Sequence, residues 1–357
     1  MRYIVIGAGA VGGTIGGCLS QAGHDVVLVA RGAHLDALRA HGLRLATPLG
    51  TQTLRIPAVA GPAELELRDG DVLILSAKGQ DTVGVLQQWA WQPVRGAGEA
   101  AAGLLPFVCA QNGVANEGIA LRRFRHVYGM CVWLPATHLQ PGVVEAQGMP
   151  CAGLLPLGRY PSGTDDFTQQ FSATLAASRF LAPASADVMR WKYGKLLSNL
   201  ANSVEALCGP VAMHDDDARE LRRRARSEGI AVLSAAGIEH APREEFDAAR
   251  GDQVHVAEAG GATRSGGSSW QSLTRQTGTI EADFLNGEIV LLGRVHGVPT
   301  PVNATLQRLA NQAARAHKPP GSTTPADILS AAEAAAGGLP GSGGQTGALA
   351  SRSRKKG

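Results

Sequence analysis

Apolar residues recur in short β-branched runs broken by glycine along the first half of the chain, and at helical spacing along the second half. Arg2–Ile6 is such a run and stops at a glycine cluster. Val11–Ala22 then reads as helix and Asp25–Ala30 as a second strand, a βαβ opening. His34–His41 is the next helix, and Gly42–Val59 alternates around Pro48-Leu49-Gly50 as a hairpin does. Asp71–Ser76 and Leu105–Cys109 are apolar strands, each followed by a helical stretch, Asp81–Trp89 and Asn116–Phe124. Val127–Leu157 is strand-like, with turn signals at Pro141-Gly142 and Gly148. These elements predict a parallel sheet with antiparallel strands added at one side.

From Asp165 the apolar period becomes about 3.6. Asp166–Phe180, Ala186–Leu207, Asp216–Ala236, Arg243–Val256, Trp270–Val295 and Asn303–Ala316 are expected helices, with a break near Gly278. The architecture expected is an α/β dinucleotide-binding domain of Rossmann type over residues 1–184 and an all-helical domain over 185–317. Beyond Lys318 the composition turns to Gly, Ala, Ser and Pro, which predicts a flexible tail with a short helix at Ala326–Ala336.

The glycine cluster reads Gly7-Ala8-Gly9-Ala10-Val11-Gly12, a G-x-G-x-x-G between a strand and a helix. In that context Gly7 permits the tight turn, Gly9 the approach of a pyrophosphate and Gly12 close helix–strand packing. Ala10 and Val11 open the helix, whose N-terminus offers free N–H groups to phosphates. At the end of the second strand, where NAD-binding domains normally carry a carboxylate, this chain has Val29-Ala30-Arg31. Arg31 suits the 2′-phosphate of NADPH. Lys78 and Asn112 follow two further strands at the edge where ligands of such sheets bind. Taken alone, each reads equally well as a solvated lysine and a turn residue.

In the second half, Lys195, Asn199 and Asn202 fall at i, i+4 and i+7 of an otherwise apolar or small helix. Such polar groups are costly unless they face a polar cavity. Glu281 opens another apolar stripe, and Ser268-Ser269 opens the helix before it, a place where an ordinary N-cap is also expected.

Charge and cysteine content narrow the class. From Lys318 onward five basic residues face two acidic ones, which accounts for the whole net charge of +3. The folded part is therefore near neutral and carries no expected nucleic-acid footprint. The five cysteines are scattered, without a C-x-x-C pair, as in a protein of a reducing compartment, so a cytoplasmic location is expected and no metal. No apolar run reaches the roughly 18 residues of a membrane span.

Together the glycine turn, Lys78, Gln111-Asn112-Gly113, Lys195 with Asn199, Ser269 and Glu281-Ala282-Asp283-Phe284-Leu285-Asn286-Gly287 resemble the ketopantoate reductases, in order and spacing, over roughly residues 1–315. The resemblance implies NADPH on Gly7, Gly9, Gly12 and Arg31, with Lys78 and Asn112 near the nicotinamide ribose and the substrate. It implies Lys195 as general acid, Glu281 beside it or on the substrate hydroxyl, and Ser269 and Asn199 holding a small 2-oxo acid. A monomer or homodimer is expected. The chain departs from the family where a second asparagine is expected eight residues after the lysine: Ser203 stands there, and Asn202 one place earlier is its candidate substitute. Residues 260–267 are also unusually glycine-rich. Another branched 2-oxo acid, an opine-type imine, or a non-catalytic NADPH-binding role stay open at this level.

Overall fold

The computed structural model describes residues 1–261 and 266–337. Its centre is a seven-stranded sheet in the order Leu157–Arg159, Val127–Met130, Phe107–Cys109, Asp71–Leu75, β1 (Arg2–Ile6), β2 (Asp25–Val29), Ala58–Val59. Every neighbouring pair is parallel except the outermost, Leu157–Arg159 against Val127–Met130. Strand periodicity explains the two-sided core. Tyr3 and Val5 join a cluster on one face with Ile15, Leu28 and Phe171, whereas Ile4 and Ile6 join Leu73, Leu86 and Trp89 on the other.

The register sets the functional edge. Ile6 pairs with Val29 and with Leu75, and Leu75 pairs with Cys109. Four parallel strands therefore end level, and their following loops begin side by side: Gly7, Ala30-Arg31, Ser76-Lys78 and Ala110-Asn112. The other predicted strands mostly lie elsewhere. Leu43–Thr47 and Gly50–Leu54 form a hairpin that joins Val143–Ala146 and Ala136–Thr137 in a separate four-stranded sheet.

The second half packs helices around Leu196, Leu200, Leu221, Ile289 and Leu306. Three expectations fail here. The helix carrying Lys195 runs Val188–Asn199 and stops; a second, Asn202–Cys208, follows. The break coincides with a tertiary bond, because the Leu200 carbonyl accepts from Asn286 Nδ2 at 3.1 Å. Trp270–Val295 breaks near Gly278 as expected, into Ser268–Thr274, a 3₁₀ turn at Glu281–Phe284 and Asn286–His296. Positive φ at Gln276 (50°) and Gly278 (74°) interrupts it. The helix from Arg243 ends at Arg250 before Gly251, whose φ is 46°, and Val254–Val256 is a strand paired with Gly148–Pro150.

The third correction concerns the tail. Pro325–Gly337 is a helix seated on the helical core, with Ile328 and Ala332 buried in it and Arg224 bridged to Glu333 at 3.1 Å. The short helix expected at Ala326–Ala336 is therefore present, one residue longer at each end, but it is docked and not part of a flexible tail. Residues 338–357 of the expected tail lie outside the described residues. Among the described residues no helix is long and apolar enough to cross a membrane, and no cluster of three potential metal ligands occurs.

Candidate active site

The turn between β1 and α1 (Ala10–Gln21) is shaped by its glycines. Gly7 has φ +100°, and a Cβ there would sit 2.7 Å from the Ala77 nitrogen. A Cβ on Gly12 would lie 2.2 Å from the Gly7 carbonyl oxygen and 2.3 Å from Ser76 Oγ, so any larger residue pries helix from strand. Gly9 differs, because the first atom its Cβ would meet is His138 Cδ2, at 3.9 Å. Gly9 caps α1 without a side-chain bond, and no acidic residue occupies the first turn. The half-buried Ala10 and Val11 thus present a positive helix end to open space, a cradle that fits a pyrophosphate.

Arg31 follows β2 at the start of α2 (Gly32–His41), with its side chain 86% exposed and a 3.3 Å contact to Asp81. Nothing but that loose pair holds it among the described residues, so it is free to turn to a ligand phosphate.

The loops after Asp71–Leu75 and Phe107–Cys109 are tied together. Gln111 Nε2 donates to the Ala77 carbonyl at 2.8 Å and to Thr82 Oγ1 at 3.0 Å. Thr82 donates to Asn116 Oδ1, and Asn116 Nδ2 to the Asn112 carbonyl. The 3₁₀ turn of the helical domain wedges between these loops. Glu281 accepts from Lys78 Nζ at 2.7 Å and from the Gly79 N–H at 3.0 Å. Phe284 packs where a Cβ on Gly79 would lie 2.9 Å from its ring, and its carbonyl where a Cβ on Gly113 would lie at 2.8 Å. Glu281 is thus not at the start of a regular helix, and Lys78 is a partner that the sequence reading did not give it.

Asn199 Nδ2 donates to Asn112 Oδ1 at 2.9 Å. Lys195, half-buried, stands one turn before Asn199 on the same helix face. It lies close enough to Cys131 to oppose, with Lys192, the burial that pushes that thiol up to about 12. Lys192 belongs to a different environment. Its ammonium is buried against Glu117 and donates to the Gln111 carbonyl at 2.9 Å. Sequence reasoning missed Glu117, since a carboxylate early in a short helix ordinarily reads as solvated.

Beyond the helix break, Asn202 is half-buried and no longer follows from the face of Lys195. It borders the start of the serine helix, where Glu205 Oε2 accepts the Gly267 N–H at 2.9 Å. Ser269 is buried with no hydrogen-bond partner for its hydroxyl among the described residues, the condition of a group that awaits a ligand. Ser203 corrects the sequence reading. It is fully buried and donates to Asn286 Oδ1 at 2.6 Å, so it replaces no pocket amide. Asn286 continues to Asn303 at 3.0 Å, a network inside the helical core.

The comparisons agree with this geometry. Residues 3–160 match the family model described as ketopantoate reductase PanE/ApbA, and residues 187–314 match its C-terminal counterpart. A 2-dehydropantoate 2-reductase of Archaeoglobus fulgidus is 31% identical over 314 residues, 86% of this chain and 96% of that protein. One from Pyrococcus horikoshii is 26% identical, covering 87% and 96%. The crystal structure of a PanE/ApbA family ketopantoate reductase from Ralstonia eutropha JMP134 superposes with TM-score 0.72 at 26% identity, covering 89% of this chain and all of that one. A D-mandelate dehydrogenase solved with NADH and anilino(oxo)acetate shares the fold, with TM-score 0.73 at 21% identity over 89% of this chain and 100% of that one. The chain belongs to the ketopantoate reductase family of oxidoreductases, which use a nicotinamide dinucleotide.

Proposed function

We propose that the protein reduces ketopantoate (2-dehydropantoate) to pantoate with NADPH. The observation that carries this reading is the Asn199–Asn112 hydrogen bond of 2.9 Å. It fastens the lysine helix to the loop at the cofactor edge of the sheet, and Lys195 stands one turn before Asn199 on that helix.

The pyrophosphate rests on the backbone of Gly9, Ala10 and Val11, with Gly7 and Gly12 shaping the turn. Arg31 pairs with the 2′-phosphate; the absence of a carboxylate at the end of β2 favours NADPH over NADH. Lys78 and Asn112 flank the nicotinamide ribose. When bound, the reduced nicotinamide supplies a hydride to C2 of the oxo acid. Negative charge then grows on the C2 oxygen, and the Lys195 ammonium stabilises it and donates the proton. Glu281 holds Lys78 and the Gly79 N–H, which fixes the loop at the cofactor edge. The unpaired Ser269 hydroxyl donates to the substrate carboxylate. Asn202 and Asn199 are the amides available to the terminal hydroxyl. A polar group left unpaired in a closed site costs about 1–3 kcal/mol, which selects for a hydroxylated acid.

The test is kcat/KM from NADPH absorbance for ketopantoate against 2-oxoisovalerate, larger branched 2-oxo acids and an amino-acid-derived imine. Ketopantoate is expected to lead. Because Ser203 does not line a pocket, no enlarged tolerance for bulkier acids is expected from it. Robust imine turnover without ketopantoate turnover overturns the reading.

A further inference from the structure

Arg275, which ends the serine helix, is solvent-accessible in side chain, yet enough protein surrounds it that burial alone lowers its pKa. No carboxylate among the described residues offsets that loss. An accessible guanidinium with no acid beside it is suited to an anion.

The hydrogen bonds place the helix that carries it. Arg275 Nε donates to the Gln271 carbonyl at 3.3 Å. Gln271 Oε1 accepts the His138 N–H at 3.2 Å, and Gln271 Nε2 donates to the Ala136 carbonyl at 3.2 Å. Gln271 thus pins the serine helix to the strand segment ending at His138. The His138 ring edge is the first thing met in front of Gly9, at 3.9 Å from a Cβ built there. His138 packs tilted against His34 with ring centres 4.3 Å apart, and His34 Nε2 donates to the Ala8 carbonyl at 2.8 Å. The Gly142 N–H donates to His34 Nδ1 at 2.9 Å, which fixes that neutral tautomer. Arg275 adds to the depression of both imidazole pKa values, after burial. The two rings therefore stay neutral and form a wall beside the glycine turn, and Arg275 supplies the charge.

We propose that Arg275 binds the pyrophosphate of the dinucleotide from the helical-domain side, opposite the N-terminus of α1. The cofactor is then gripped by both domains, and its binding draws them together over the substrate. A forked guanidinium matches phosphate oxygens in two parallel bonds, which an ammonium does not. This rests on the nicotinamide-cofactor reading, but not on its 2′-phosphate. The pyrophosphate is common to NADPH and NADH, so Arg275 serves both, whereas Arg31 serves one.

Dissociation constants for NADPH, NADH and adenosine 2′-monophosphate are to be measured by calorimetry for the wild type, Arg275→Met and Arg275→Lys, with thermal melts alongside. The expected result is a loss of about tenfold or more for both dinucleotides by Arg275→Met, equal within error, with part retained by Arg275→Lys, adenosine 2′-monophosphate unaffected and melting preserved. A loss confined to NADPH overturns the proposal by placing Arg275 on the 2′-phosphate. Unchanged binding of both dinucleotides overturns it outright. If the wild type binds neither dinucleotide, the cofactor reading itself has failed, an outcome distinct from a variant that binds normally.

Discussion

Glu281 accepts a hydrogen bond from Lys78 Nζ at 2.7 Å, joining the helical domain to the loop after the parallel strand Asp71–Leu75. Glu281 is 5% exposed and Lys78 29%, so water screens the pair only from one side. Glu281→Gln keeps the shape and the bond from Gly79 but deprives Lys78 of its counter-charge. The expected cost is about 1–3 kcal/mol of stability, with kcat/KM falling about tenfold or more. Thermal melting and steady-state kinetics check both; if neither changes, the pair neither stabilises the fold nor orders the site.

The two lysines of one helix should fail differently. Lys195→Ala is expected to lower kcat about 100-fold or more with little change in melting, as the loss of a general acid does. Lys192→Met instead strands Glu117 in the interior. Both side chains are at most 1% exposed, and breaking such a pair costs about 3–5 kcal/mol. Melting curves and kcat for both variants separate these effects, and the opposite pattern would exchange the two roles.

Arg31 should decide cofactor choice without contributing to the fold. Its pair with Asp81 is exposed and long, so it adds little stability. Arg31→Ala removes a charge-assisted contact, and the KM for NADPH is expected to rise about 10- to 100-fold while that for NADH barely moves. Equal effects on the two cofactors would place the 2′-phosphate elsewhere.

The helix Pro325–Gly337 should stabilise the protein. Ile328 is fully buried, and Ile328→Ala is expected to cost about 2–5 kcal/mol. Ending the chain at Lys318 exposes the core that Ile328 and Ala332 cover and should lower the melting temperature by several degrees. A truncated protein that melts like the full chain would refute this.

Stability should fall as pH drops through the range of His138. Its pKa is pushed down from 6.5 to about 4, by burial first, with His34 and Arg275 adding to the effect and the Val143 carbonyl opposing it. The unfolded chain takes up this proton near pH ~6.5, the folded protein only near 4, so the contribution present at neutral pH is lost between those values. His138→Gln should flatten that part of the melting-temperature profile relative to wild type. The same acid slope in both proteins would assign it to other groups.

Much of this molecule is legible without coordinates, because local rules govern those parts. A period of two, a glycine turn and a following helix suffice for β1, α1 and β2, and they point to Gly7, Gly9, Gly12 and Arg31. The residue order Lys78, Asn112, Lys195, Asn199, Ser269, Glu281 marks the family. Where these groups point is not local. The helix through Lys195 looks continuous to Leu207, but the Leu200 carbonyl goes to Asn286, eighty-odd residues away. Such a bond leaves no trace in helical periodicity, and it removes Asn202 from the face of Lys195. Ser203 likewise looks like a lost pocket amide until its bond to Asn286 places it in the core.

The sequence by itself determined the dinucleotide fold and the glycine cradle, which follow from periodicity and turn chemistry, and the resemblance to the family marked the polar residues of the candidate site. The tertiary structure alone decided the partnerships: Glu281 with Lys78, Asn199 with Asn112, Lys192 with Glu117, and Gln271 with His138. The physical reason is separation along the chain. Those contacts join residues 75 to 203 positions apart, or reach across more than 130, and form only once sheet register and helix packing bring their elements together.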